Sequence, residues 1–279
     1  MNDLAGRTAI ITGAAGGIGQ ALCRAFVSAG MNVALGDTHR AGVTKLHIEL
    51  GSGQTMPLVF DVSDANACRD AVERVGAQFG KVDVLVNNAA LGMSLVRPDH
   101  MTRTVQIEDI SPEIWAAFMA VNLSGPFYMA RAVVSGMRAQ KFGRIINVTT
   151  SYFTMLNAGF SPYGPAKSGL EAWTTSFAGE LQGSGITANV VVPGGPTDTP
   201  MVPSDSGMDR SQLIRPERMA HPMLYLCSDA AADVTGRRFV AAHWDPVLPA
   251  AQAAEQAGAP AGWPDLARNP VWPGGGPKR

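Results

Sequence analysis

The sequence has little of what marks a secreted, metal-bound or nucleic-acid-binding chain. Its 279 residues include three cysteines, Cys23, Cys68 and Cys227. That is an odd number with no metal-ligand spacing, which argues against a disulfide framework and against a zinc site, so no metal is expected. Each cysteine falls in a helical stretch, where a small thiol serves as a buried hydrophobe. The opening Met-Asn-Asp-Leu-Ala-Gly-Arg lacks the apolar core of a signal peptide and predicts a reduced, cytoplasmic protein. Net charge is −1 and there is no basic block, so neither nucleic acid nor an anionic membrane is an expected partner. No linker-like stretch divides the chain before residue 245.

What is present is a regular alternation. Short apolar runs at 8–12, 32–37, 55–60, 83–87, 144–149, 187–192 and 238–241 read as strands, and helical patterns stand out at 17–29, 65–79, 112–139, 162–182 and 216–227. Strands that alternate with helices predict an α/β fold with a parallel sheet covered on both faces. The expected architecture is one doubly wound, Rossmann-type domain over residues 1–245 with seven parallel strands. Residues 246–279 are a Pro/Ala/Gly-rich extension. Trp244, Trp263 and Trp272 give it apolar anchors, which favours packing on the subunit or a neighbour over a solvated tail.

The first strand runs into Thr12-Gly-Ala-Ala-Gly-Gly-Ile-Gly19 and then into a helix. Gly13, Gly17 and Gly19 permit a tight turn and close backbone approach, so that amides at a helix N-terminus can meet a pyrophosphate. The second strand ends in Asp37, 18 residues after Gly19. A carboxylate there can accept hydrogen bonds from ribose hydroxyls and repel a 2′-phosphate, although the position equally suits a turn or helix cap. Farther along, Ser161-Pro-Tyr-Gly-Pro-Ala-Lys167 places Tyr163 and Lys167 four residues apart on one helix face. A phenol with a pKa of about 10 beside an ammonium is a candidate proton carrier.

These motifs, together with Asn87-Asn-Ala-Ala90 and Asn122, resemble the classical short-chain dehydrogenase/reductase family from about Leu4 to about Val240. The resemblance implies an NAD-dependent oxidoreductase that interconverts a secondary alcohol and a ketone. Tyr163 would exchange the proton, Lys167 would hold the nicotinamide ribose and lower the tyrosine pKa, and Asn122 would hold a relay water. It places Gly13, Gly17, Ile18 and Gly19 on the pyrophosphate, and Asp61 and Val62 beside the adenine. Asn88, Ala89 and Ala90 then lie along the adenosine side, with Pro193 and Gly194 near the nicotinamide. NAD is expected over NADP because of Asp37, with Arg40 as the residue that could reach a phosphate instead. The family also implies a homo-oligomer, tetramer or dimer, through the helices at 112–139 and 162–182, whose Trp115, Phe118, Trp173 and Phe177 suit either an interface or the core.

Two departures stand out. The family's catalytic Ser position, 13 residues before the Tyr, holds Thr150, and Ser151 sits next to it; either hydroxyl could serve. Pro196 has no N–H for the carboxamide, so Thr197 or Thr199 would contact the nicotinamide instead. These changes leave open a dinucleotide-binding regulatory or scaffold protein without turnover, and Arg40 leaves open an NADPH-dependent ketone reductase. Asn122 follows Asn87 by 35 positions, more than the family's usual spacing, so Leu91 to Asp109 is expected to carry an insertion. Its Arg97, His100 and Arg103 could recognise an anion. Tyr152, Phe153, Met155, Leu156 and Phe160 give the next loop an apolar character that suits a moderately bulky, cyclic or aromatic alcohol or ketone.

Overall fold

The structure, a computed structural model, describes residues 2–265. Its strands are β1 (Thr8–Thr12), β2 (Asn32–Asp37), β3 (Thr55–Val59), β4 (Val84–Asn87), β5 (Gly143–Val148), β6 (Ile186–Val192), β7 (Arg237–Val240) and β8 (Gly258–Pro260). They form one sheet in the order β3-β2-β1-β4-β5-β6-β7-β8. All neighbours are parallel except β7 and β8. The sheet therefore has eight strands where seven were expected. The eighth is only Gly258-Ala-Pro260 and carries no periodic apolar pattern, so the sequence gives no signal for it.

The helices are α1 (Gly17–Ser28), α2 (Arg40–Leu50), α3 (Ala65–Phe79), α4 (Pro112–Met119), α5 (Gly125–Gln140), α6 (Tyr152–Leu156), α7 (Tyr163–Glu180), α8 (Ala220–Cys227) and α9 (Ala250–Ala257). They cover both faces because parallel strands bury both. Along β1 every residue is buried. Ala9 and Ile11 point to a core shared with α1, α2, α8 and α9, whereas Ile10 points to a second core shared with α3, α5 and α7. The strand's period of two thus serves both layers. Cys23 and Cys227 sit in the first core and Cys68 in the second, all free and buried. Burial pushes the Cys68 and Cys227 thiols up to about 12, so they pack as hydrophobes.

Three expectations are corrected in detail. The helix expected over 112–139 breaks into α4, a π-helical turn at Ala120–Ser124, and α5. Pro126 has no N–H to donate back to the Asn122 carbonyl, and a single π turn of this kind is a common way to reshape a helix at a functional site. The segment after Thr150 includes the short helix α6, capped by the Ser151 hydroxyl. The stretch expected as one helix over 216–227 starts as a 3-10 turn, Pro216–Met219, before α8.

Residues 246–265 pack on the subunit. Helix α9 buries Ala253, Ala254 and Ala257, β8 pairs with β7, and the Trp263 ring lies 5.8 Å from that of Tyr152. Trp244, before the extension, packs against Tyr225. The expected anchor Trp272 lies outside the described residues. Among the described residues, no helix is long and apolar enough to cross a membrane.

Candidate active site

The switch in strand order falls between β1 and β4, and the site gathers at the carboxyl ends of the strands beside it, as in other open α/β sheets. Gly13 has φ +67° and turns the chain directly after β1. A Cβ at Gly19 would fall on the Gly13 carbonyl oxygen, well inside contact distance, so this crossing admits glycine alone. Among the described residues no side chain caps α1, which leaves the first-turn amides of Gly17, Ile18 and Gly19 for an anionic ligand. The loop is braced from behind. Thr12 Oγ1 accepts from the amides of Asn88 and Ala89, and Asn88 Nδ2 donates to the carbonyls of Thr12 and Gly13. Such a cradle, closed to side chains and open to N–H donors, fits the pyrophosphate of a dinucleotide.

Asp37 stands at the end of β2. One carboxylate oxygen accepts from Ala15 N at 3.0 Å and the other from His39 N at 2.9 Å. It ties the strand end to the glycine loop as a turn residue, with its half-buried carboxylate beside that loop. Asp61 is exposed and accepts from Ser63 N ahead of α3, while Val62 is buried and would contact any Cβ at position 125. On the opposite wall, the Pro193 carbonyl accepts from Ala242 N, and Gly194 takes φ +106°. Thr197 and Thr199 are buried, and their hydroxyls are turned to local carbonyls. The Thr199 methyl lies 2.6 Å from where a Cβ of Gly17 would be, so this loop closes over the glycine turn. Arg210 holds it there by donating to the carbonyls of Thr199 and Val202 and to the Asp198 carboxylate.

Tyr163 opens α7 and Lys167 follows one turn later, with Nζ 6.0 Å from the tyrosine ring centroid. Lys167 is 1 % exposed, and its Nζ donates to the Val148 carbonyl at 2.8 Å. Burial drives its pKa down from 10.5 to about 7. Burial also pushes the Tyr163 phenol up to about 12, although the residue as a whole is only half-buried. The expected lowering of the tyrosine by the lysine is therefore absent from this geometry. Desolvation acts on both groups, and it favours a neutral phenol and a neutral amine.

Thr150 and Ser151 separate clearly. Ser151 Oγ accepts from Thr154 N and bonds the Thr154 hydroxyl, so it is spent on capping α6. Thr150 is held by its carbonyl, which accepts from Arg238 Nη2 at 2.9 Å. The Asn122 side chain is also occupied: Oδ1 accepts from Leu91 N at 2.8 Å and Nδ2 donates to Leu91 O at 3.0 Å. It pins the start of the 91–109 segment to the helix. That segment packs Met93 and Val105 with Phe118, and with Leu91, Phe160 and Tyr163 at their margin. Arg97 pairs with Asp99 and Asp109, which removes it as a recogniser of an external anion.

Sequence reasoning missed the buried partners of this machinery. Glu171 and Arg238 form an ion pair at 2.6 Å, 67 positions apart, and nothing local in the chain signals it.

An uncapped glycine turn, a carboxylate after β2 and a Tyr-Lys pair beside an apolar cluster are the parts of a dehydrogenase. The chain matches the family model for short chain dehydrogenase over residues 7–209, and it belongs to that family of oxidoreductases. It is 34 % identical over 245 residues to a 3-oxoacyl-[acyl-carrier-protein] reductase of Thermotoga maritima, covering 84 % of this chain and 95 % of that one. An acetoacetyl-CoA reductase of Rhizobium meliloti is 35 % identical over 243 residues, covering 82 % and 94 %. The crystal structure of a 3-ketoacyl-(acyl-carrier-protein) reductase from Brucella melitensis, complexed with NADH, superposes with a TM-score of 0.73 at 26 % identity, covering 83 % and 95 %.

Proposed function

We propose that the protein is a ketone reductase that draws hydride from NADH and delivers a proton from Tyr163 to the resulting alkoxide oxygen of an apolar substrate. The observation that carries this reading is Tyr163 one helical turn from the buried Lys167, beside the apolar cluster of Met93, Val105 and Phe118. A phenol pushed up to about 12 stays protonated at neutral pH, and a protonated acid is what reduction consumes. When bound, the dinucleotide supplies the hydride. Gly17, Ile18 and Gly19 would hold its pyrophosphate, Asp37 the adenosine ribose, and Lys167 the nicotinamide ribose. Thr150, at the family's serine position and with its neighbour Ser151 engaged elsewhere, would hydrogen-bond the substrate oxygen.

Asp37 favours NADH over NADPH, since a 2′-phosphate would meet its carboxylate. Arg40, exposed at the start of α2, offers at best an exposed ion pair of about 0–1 kcal/mol in return. The named activities of the relatives, reduction of 3-oxoacyl and acetoacetyl thioesters, support ketone reduction as the direction. The cleft margin is apolar: Phe153 and Leu156 are exposed, and Phe153 meets the Phe160 ring at 6.3 Å. An aromatic face of Phe127, Trp173 and Phe177 across α5 and α7, with Phe127 and Trp115 exposed, suits a homo-oligomer. Free, buried cysteines suit the cytoplasm.

The test is to follow nucleotide oxidation with acetoacetyl-CoA, cyclohexanone and α-tetralone, each with NADH and NADPH, alongside thermal stabilisation by each nucleotide. Turnover with NADH and stronger stabilisation by NADH are expected. Turnover of none of these ketones would refute the reductase reading, and stronger stabilisation by NADPH would refute the role of Asp37.

A further inference from the structure

Behind the proton-transfer pair lies a second, wholly internal polar assembly. Glu171 is one turn beyond Lys167 and two beyond Tyr163, on the same face of α7. It is completely buried, and each of its carboxylate oxygens has two partners. Oε2 accepts from Arg238 Nη1 at 2.6 Å and from Thr149 Oγ1 at 2.9 Å. Oε1 accepts from Tyr152 OH at 2.9 Å and from Gly262 N at 3.4 Å. Arg238, on β7 and itself buried, donates its second terminal nitrogen to the Thr150 carbonyl and stacks over the Tyr152 ring at 4.2 Å. The Tyr152 hydroxyl also meets the Gly262 carbonyl at 3.0 Å.

A buried ion pair recovers little net stability over apolar packing of the same volume, because both ions lose their hydration. Its particular property is geometric. The planar guanidinium has donors in a fixed fork, and here one prong grips the helix of Tyr163 while the other grips the backbone of Thr150. Two elements 13 residues apart, the segment after β5 and the start of α7, are thus referenced to one rigid group that comes from a distant part of the chain. The C-terminal extension closes the assembly from outside through Gly262.

We propose that Arg238 and Glu171 are positioning residues for the reductase reaction, setting the Thr150 hydroxyl against Tyr163, and that the C-terminal extension serves the reaction by sealing this pair. The inference rests on the functional reading given above. It makes Arg238→Lys the informative substitution, since lysine keeps the countercharge for Glu171 but cannot bridge to Thr150 with a fixed fork. Tyr152→Phe removes the one hydroxyl proton shared between Glu171 Oε1 and the Gly262 carbonyl and leaves the ion pair intact.

Full-length variants are compared with the wild type for kcat and for the KM of NADH, using whichever of the three ketones above the wild type reduces fastest, and for melting temperature. Arg238→Lys is expected to lower kcat about tenfold or more, the scale of a small misplacement of reacting groups, with KM for NADH within about twofold. Tyr152→Phe is expected to lower kcat by a smaller factor in the same pattern, and it decides the matter if Arg238→Lys fails to fold. A folded Arg238→Lys protein with unchanged kcat, or a loss that appears in the NADH KM instead, would overturn the positioning role. Unchanged kcat in Tyr152→Phe alone, where Arg238→Lys is unfolded, would do the same. A wild type that reduces none of the ketones sinks the functional reading first, and that outcome is seen before any variant is made.

Discussion

Replacing Lys167 by methionine should change how the stability of the protein depends on pH, and the size of the change follows from burial. The amine has a folded pKa of about 7 against 10.5 when exposed, so the folded state resists its charge. Below pH 7 the penalty is complete, at about 5 kcal/mol from about 1.4 kcal/mol per unit. It vanishes above pH 10.5. Between these limits the unfolded chain binds more protons than the folded one, so wild-type stability rises with pH, by about 2 kcal/mol between pH 7 and pH 9. Methionine fills much of the same volume without titrating. It loses the bond to the Val148 carbonyl, worth about 1 kcal/mol, but that loss is independent of pH. The buried thiols act in the opposite direction above pH 9, because they ionise on unfolding, as does Tyr163 above pH 10. Those contributions are common to both proteins and cancel in the difference. Urea denaturation of the nucleotide-free wild type and Lys167→Met proteins at half-unit intervals from pH 6.5 to 9 measures it. The variant should be the more stable at pH 6.5, and its advantage should shrink steadily as pH rises. Parallel curves would show that Lys167 is solvated or remains charged, and the electrostatic account of the site would fall.

Tyr163→Phe should lower kcat by about 10²-fold or more, the usual contribution of a positioned acid, while NADH still raises the melting temperature; retained turnover would remove the phenol from the reaction. Gly19→Ala drives a methyl into the Gly13 carbonyl and should weaken NADH binding more than tenfold in a fluorescence titration, whereas unchanged affinity would place the pyrophosphate elsewhere. Ser151→Ala should cost about 1 kcal/mol of stability as a lost helix cap with kcat nearly unchanged, and Thr150→Val should do the reverse. A large kcat loss in Ser151→Ala, measured beside its denaturation curve, would exchange the two roles.

Local chemistry made much of the fold and site readable from the chain. The turn after β1 is announced by glycines at fixed spacing, and Asp37 by its place at the end of an apolar run. Tyr163 and Lys167 are announced by one helical turn. Each depends on neighbours within a few residues, and periodicity reports those well. The parts that could not be read depend on distance in sequence. Asn122 looks like a mid-helix polar residue until its side chain is seen closing on the Leu91 backbone, 31 positions away. Arg97 looks like a ligand for an anion until it is seen paired with Asp99 and Asp109. The choice between Thr150 and Ser151 needed the start of α6, a five-residue helix too short to carry a pattern. Glu171 and Arg238 would each be assigned to a solvated face on composition alone, since buried charges are rare unless paired.

The short strand at the end of the extension has a further consequence. β7 would otherwise present an open row of amides and carbonyls at the border of the sheet, an invitation to pair with a strand of another molecule. β8 occupies that row with three residues and ends at Pro260, which cannot donate to a further neighbour. The extension thereby acts as a hem: it finishes the border with a piece too brief and too poor in donors to be extended, and it protects a largely parallel sheet from edge-to-edge aggregation.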